Sequence, residues 1–304
     1  MQWLVSLLCR SRFPPGSSVP GRWRIAILAM LLCACGLAQA QTLRVMSFNV
    51  RLPVASDGEH RWEARRALMI ETLRRTRPDL IGTQELFGSQ GDALTRALPG
   101  YAWFGRGRRG GHDDDEHMGV FYRKDAFRLI ESGDFWLSDT PEVVGSISWG
   151  NLYPRMVTWG LFESRRDRRR FYLFNTHFPY RDEDAAVRLR CARLLLERIR
   201  ALPESVPVIV TGDFNTGDDS EVYALLTGPL EDVWRRAARR RGPEGTFHGF
   251  TGQPQRRIDW ILVRGMTIRS AETVTTHRGA RYPSDHFPVL TVLRWPSVPR
   301  RRVD

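Results

Sequence analysis

The stretch Val206–Asn215, VPVIVTGDFN, constrains this chain most, because a run of valine and isoleucine ends abruptly in a carboxylate and a carboxamide. An unbroken apolar run of this length reads as a central strand buried on both faces. Thr211 and Gly212 let the backbone turn at its C-terminal end. Asp213 and Asn215, two apart on an extended chain, then project to the same side. A strand-ending turn would use the same pair to satisfy local backbone amides, so the stretch alone leaves a structural and a chemical reading open.

With 304 residues, 42% of them hydrophobic, the chain is long and apolar enough to bury a sizeable core, which excludes the disordered class. The formal charge is +12, and four arginines with no acid fall in the first 40 residues, so the remainder carries +8. A basic body is compatible with polyanionic partners such as nucleic acid, phosphorylated metabolites or anionic lipid surfaces. Lys124 is the only lysine. An arginine-biased genome produces the same balance without any ligand, so charge does not choose among these partners.

Arg22 and Arg24 precede an apolar run, Ile25–Leu37, which is followed by Ala38-Gln39-Ala40. That order reads as a signal segment spanning 1–40 with cleavage after Ala40, and hence as an exported protein, periplasmic or secreted. Lipid attachment at Cys35 is the second reading. Cys9, Cys33 and Cys35 fall inside this segment, leaving Cys191 alone in the body. The expected mature chain therefore has no internal disulfide and depends on its core. Cys191 itself lies in a helical pattern and is expected as buried filler. The body is expected to run from 41 to 296, followed by a basic tail at 297–304.

In the body, Leu43–Val50 alternates as a strand into Asn49, His60–Arg77 carries an apolar stripe stopped by Pro78, and Asp79–Glu85 is a strand ending in an acid. Gly88–Leu98 reads as a short helix. Gly105–His117 reads as an exposed, mobile loop whose three consecutive aspartates form a solvated turn rather than a metal site. Met118–Tyr122 and Phe127–Leu137 are expected to pair, as are Met156–Glu163 and Phe171–Phe178. Asp182–Leu202 is the strongest helix, Ser220–Leu226 a short one, Arg235–Arg241 a basic cluster, and Ile258–Val263 and Phe287–Leu293 further strands. No internal repeat is present.

Polar residues recur in or beside these strands: Asn49, Glu85, His177, Asp213, Asn215, Asp259, Asp285 and His286. Each alone has an ordinary structural explanation. Together they offer hard oxygen ligands suited to Mg²⁺ or Mn²⁺ and two imidazoles, and with no cysteine among them they do not form a structural zinc site.

The blocks MSFNV, TQE, NTHF, TGDFN, RRIDWI and PSDHFPV, in this order between Leu43 and Trp295, make the chain resemble the endonuclease/exonuclease/phosphatase superfamily, the DNase I-like hydrolases. GDFWLSDTPE, YPRMVTWGLF and GTFHGF make it similar to a bacterial, exported branch of that superfamily. The resemblance implies an α/β fold, a two-sheet sandwich with helices on both outer faces and the site at one end of the sheets. By matching position it implies Glu85 as principal ligand of Mg²⁺ or Mn²⁺, with Asn49 and Asp285. Asp213 and Asn215 would handle the attacking water and the phosphate or a second metal. His286 would contact the phosphoryl group or act in proton transfer, His177 would donate to a non-bridging oxygen, and Asp259 would complete the acidic cluster.

Arg155 is a further candidate for phosphate, since arginine presents a bidentate fork, and Trp149 and His248 are candidates to shape the pocket. The expected function is metal-dependent hydrolysis of phosphate esters, on a small phosphorylated compound or a lipid headgroup. A nuclease, including a 3′-to-5′ RNA exonuclease of deadenylase type, is the alternative, and a phosphate-binding module without catalysis the alternative of another class. Nothing in the pattern calls for an obligate protein partner, and a monomer is expected.

Overall fold

The computed structural model describes residues 42–295. The expected leader, its alternative lipidation at Cys35, and the basic tail lie outside the described residues. Two mixed sheets pack face to face with helices on their outer sides. The first has seven strands in the order β10 (Arg240–Arg241), β12 (Thr267–Thr273), β13 (Val289–Arg294), β1 (Thr42–Asn49), β2 (Leu80–Gln84), β4 (Val120–Arg123), β3 (Tyr101–Phe104). The second has six, in the order β5 (Phe127–Trp136), β6 (Met156–Ser164), β7 (Arg170–His177), β8 (Val208–Asp213), β11 (Asp259–Arg264), β9 (Glu231–Asp232).

The alternation of side chains along each strand sorts the apolar residues into three layers. Val45, Leu80, Leu173, Ile209, Ile261 and Val289 meet between the sheets. Met46, Phe48 and Ile81 face outward from the first sheet onto α1 (Trp62–Thr76) and α2 (Gly88–Ala97). Phe174, Val208, Val210, Trp260 and Leu262 face outward from the second onto α3 (Ala185–Arg200) and α4 (Glu221–Thr227). The short α5 (Val233–Arg236) adds Val233 and Trp234 to the layer between the sheets. At about 25 cal/mol per Å² of apolar surface, three such layers are the main source of stability.

Helix ends follow local chemistry. Arg77, in the left-handed region at φ 46°, closes α1 with its N–H on the Leu73 carbonyl, just ahead of Pro78. The expected start at His60 shifts to Trp62 because residues 55–60 form a 3₁₀ turn instead. Ser220 caps α4 by accepting the Tyr223 N–H at 3.2 Å. No helix among the described residues is long and apolar enough to cross a membrane.

Two expectations need correction, and two strands add to the sequence reading. Residues 118–122 and 127–137 do not pair: β4 stays in the seven-stranded sheet beside β2 and β3, whereas β5 pairs with β6 in the other. Val120 and Phe127 both enter the layer between the sheets, so the turn at Lys124–Ala126 carries the chain across the sandwich. The loop 105–117 is not exposed throughout. Arg108, Asp115, Glu116 and His117 are buried, with the Asp115 carboxylate accepting the N–H groups of Arg109 and Gly111, and only Asp113 and Asp114 of the aspartate run stay in solvent. Finally, β3 and β12 were not evident, since β3 is four residues long and β12 (TIRSAET) is an extended run with few apolar residues.

At the site end the layer between the sheets turns polar. Gln84 Nε2 donates to Asn175 Oδ1 at 2.7 Å, Thr211 Oγ1 donates to the same oxygen at 3.0 Å, and Asn175 Nδ2 donates to the Thr83 carbonyl at 2.7 Å. Gly82 permits this network, because a Cβ there would meet Thr211 Oγ1 and both Asn175 Oδ1 and Cγ at under 3.0 Å. Gly82→Ala is therefore expected to cost about 1–3 kcal/mol by overpacking, read as a lowered urea midpoint at unchanged m-value. A second expectation concerns Cys191, fully buried on the inner face of α3, where burial pushes the thiol up to about 12. Peptide mapping after alkylation at pH 8 should find Cys191 unmodified in the folded protein and modified in urea.

Candidate active site

Strand register brings the site together. His177 at the end of β7 is paired in rank with Asp213 at the end of β8, and Asp213 with Asp259 at the start of β11. All three continue the inward-facing series of their strands, so they stand at the mouth of the layer between the sheets. On the opposite sheet Asn49 ends β1 beside Gln84, and the chain then turns through Glu85. Asn49 Nδ2 spans the gap, donating to Glu85 Oε1 at 2.9 Å and to Asp213 Oδ2 at 3.0 Å.

The turns that follow these strands are strained. Arg51, Glu85 and Asn215 all have φ between 51° and 57°. For non-glycine residues this costs on the order of 1 kcal/mol or more each, and such positions cluster at functional sites. Hydrogen bonds hold them: Asn49 Oδ1 accepts the Arg51 N–H at 3.0 Å, Glu85 Oε2 accepts the Leu52 N–H at 3.2 Å, and Asp213 Oδ1 accepts the Asn215 N–H at 3.0 Å. The Asn215 amide donates to the Phe178 carbonyl at 2.9 Å. Arg65, 1% exposed, donates to the Val50, Arg51, Leu52 and Pro283 carbonyls and so ties the turn after β1 to the segment entering β13.

That segment supplies Asp285 and His286. Ser284 Oγ donates to the Asn49 carbonyl at 2.6 Å. His286 Nδ1 and Asp259 Oδ2 are 2.8 Å apart, and Thr246 Oγ1 fixes Asp259 by accepting its N–H at 3.2 Å. His286 Nε2 lies 3.8 Å from Asp213 Oδ2, and His177 Nε2 lies 3.6 Å from the same oxygen. The two imidazoles are tuned in opposite directions. Burial, with Arg155 and Arg108 nearby, holds His177 well below the ordinary histidine range. Burial opposes charge on His286 too, but the Asp259 carboxylate, with Asp213 and Asp285, outweighs it and pushes His286 well above that range. Burial, with the Asp259 charge adding to it, pushes Asp213 up to about 7.

The donor set fits a hard divalent cation. Asp213, Asp259 and His286 offer ligand atoms within 4.8 Å of one another. A hydrogen bond already joins Asp259 to His286, so that trio reads better as a proton-holding group than as a cage. Glu85 Oε2 lies 3.9 Å from Arg51 Nη1 and Asp285 Oδ2 3.9 Å from Arg51 Nε, so two carboxylates face the same guanidinium, a place that favours positive charge. All-oxygen, carboxylate-led coordination of this kind suits Mg²⁺ or Mn²⁺.

These groups open onto a cleft of about 500 Å³. Of the residues singled out in the sequence, Glu85, Arg155, His177, Asp213, Asn215, Asp285 and His286 line it, with Asn49 and Asp259 held directly behind. Trp149 and His248 do not. Trp149 packs on the outer face of the second sheet and donates to Asp139 Oδ1 at 2.7 Å, and His248 is buried in a stack with Phe287 at 4.0 Å. The cleft also holds Arg51, Arg108, Glu116, Tyr153 and Tyr180, which the sequence did not single out. Arg108 and Glu116 form a buried ion pair at 2.6 Å. Arg155, 5% exposed, makes no ion pair among the described residues, and its Nη1 has no hydrogen-bond partner. An uncompensated buried guanidinium is costly unless an anion completes it.

Residues 46–286 match the Endonuclease/Exonuclease/phosphatase family. Among solved structures, a protein of that family from Bacteroides thetaiotaomicron is 33% identical with a TM-score of 0.80, covering 85% of this chain and all of that one. A mannosyl-6-phosphatase from the same organism is 33% identical with a TM-score of 0.77, covering 83% of this chain and all of that one. Among curated proteins, Carbon catabolite repressor protein 4 homolog 3 of Arabidopsis thaliana is 25% identical over 82% of this chain and 50% of its own length. The chain spans about half to three-fifths of the length of the first curated relatives it matches. With six motif blocks gathered at one mouth of a two-sheet sandwich and a family match across nearly all the described residues, the chain belongs to the endonuclease/exonuclease/phosphatase family of phosphoester hydrolases.

Proposed function

We propose that this protein is a metal-dependent hydrolase of phosphate esters that acts on a small phosphorylated compound. The observation that carries the reading is the gathering of the carboxylates Glu85 and Asp285, the Asp259–His286 pair and Asp213, which Asn49 joins to Glu85, on one arginine-lined cleft. Mg²⁺ or Mn²⁺ held by Glu85, Asn49 and Asp285 would neutralise charge on the phosphoryl oxygens and lower the pKa of bound water. In this reading the chain's own residues do the rest. Asp213, whose oxygens stand beside both imidazoles, accepts the proton of the attacking water. His286, charged and aimed by Asp259, donates through Nε2 to a phosphoryl oxygen. His177, kept neutral, donates to a second oxygen, and the free fork of Arg155 takes the non-bridging pair.

Support for a small substrate comes from the Bacteroides mannosyl-6-phosphatase at 33% identity. Four arginines along the same cleft, Arg51, Arg108, Arg155 and Arg256, favour a nuclease as the second reading. The purified protein with Mg²⁺ or Mn²⁺ should turn over p-nitrophenyl phosphate or bis-p-nitrophenyl phosphate, and a chelator should abolish this. Asp213→Asn and His286→Ala should each lower kcat/KM by about 10²–10⁴-fold with the circular dichroism spectrum unchanged. Wild-type turnover by both variants would remove the assignment. Cleavage of single-stranded RNA or plasmid DNA that collapses between 50 and 200 mM salt, as counterion release requires, would move the reading to a nuclease.

A further inference from the structure

One buried acid of this cleft has no part in the chemistry proposed above: Glu116, 9% exposed, lines the wall. Its backbone is fixed beside the metal-ligand candidates, since His117 N–H donates to the Leu86 carbonyl at 2.7 Å, one residue from Glu85. Its Oε1 is committed to Arg108 Nη2 at 2.6 Å, which argues against service as a further metal ligand. Arg108 is in turn clamped. Its guanidinium lies 4.9 Å from the centre of the Tyr153 ring, and its carbonyl accepts the Trp136 indole N–H at 2.7 Å. Its Nε is buried without a partner.

A carboxylate with an oxygen to spare and a guanidinium with donors to spare match groups that each donate and accept, and vicinal hydroxyls are such groups. Tyr180, 51% exposed with the Arg155 guanidinium 5.9 Å from its ring, offers an aromatic surface on the same cleft. We propose that Glu116, Arg108 and Tyr180 form a subsite for the alcohol half of the substrate, and that it takes a polyhydroxylated ring, making the substrate a sugar or polyol phosphate monoester. The proposal rests on the phosphoester reading above for the position of the phosphate, but its test does not depend on turnover.

The test is calorimetric titration of glucose 6-phosphate, mannose 6-phosphate and inorganic phosphate, with Mg²⁺, into the full chain carrying Asp213→Asn, which blocks hydrolysis. The sugar esters should bind about tenfold or more tighter than phosphate, as a site built to hydrogen-bond hydroxyls requires. Adding Glu116→Gln should bring the esters to within about twofold of phosphate while phosphate itself is held no more weakly. Because Glu116→Gln leaves the Arg108 charge buried, Tyr180→Ala, on an exposed side chain, serves as the second variant and should weaken the esters several-fold more than phosphate. Equal binding of esters and phosphate with Glu116 present, or a preference that survives both substitutions, overturns the subsite. Absence of any phosphoester turnover by the wild-type chain, with the ester preference intact, would instead overturn the hydrolase reading alone.

Discussion

The site depends on one amide. Asn49 Nδ2 reaches from the end of β1 in one sheet to Glu85 on its own side and to Asp213 in the other sheet, while its Oδ1 holds the turn through Arg51. Two sheets packed through apolar side chains are free to slide by small amounts, since dispersion contacts are not directional. Hydrogen bonds are directional, and a charge-assisted bond contributes about 1.5–3 kcal/mol. A side chain that donates to a carboxylate from each sheet therefore sets their spacing at the point where the chemistry needs it.

Beneath that amide, Gln84, Asn175 and Thr211 form a second polar tier. Each is fully buried, so each has to find a partner inside the protein. Their partners are in the opposite sheet or in neighbouring strands, and Gly82 provides the room. Polar groups of this kind do not add much net stability. Their directional bonds favour the observed alignment of the sheets, which is the more valuable effect at a site where 1 Å of misplacement costs about a hundredfold in rate.

Much of this was legible in the sequence because the site residues punctuate strands. Asn49, His177 and Asp213 each terminate an apolar strand pattern, Asp259 opens one and Glu85 follows one, so hydropathy both located the strand and marked the exception to it. The loops were less legible. Residues 105–117 are rich in glycine, arginine and aspartate and read as solvent, yet Arg108 and Glu116 are buried because each neutralises the other. Pairing is a tertiary fact that composition does not carry. The same holds for β4 and β5, whose short connection looks like a hairpin until the layer between the sheets is seen to receive both. Trp149 and His248 failed in the reverse sense, since an aromatic in a loop gives no sign of which way it faces.

Arginine poses the sharpest form of the problem. The chain uses it almost to the exclusion of lysine, so neither its frequency nor its proximity to a motif marks a ligand residue. Burial and pairing do. Arg257 is buried but bonded to Asp218 and Asp232 at 2.8 Å each, and Arg108 is buried against Glu116. Arg65 is buried against five backbone carbonyls. Arg155 alone among these is buried, borders the cleft and has no ion-pair partner. The desolvation of a guanidinium is several kcal/mol, and in the other three the protein itself compensates it. Arg155 has only the Tyr180 ring, 5.9 Å away, and the cleft itself, so the proposed anionic substrate finds better support at this residue than in the net charge of the chain.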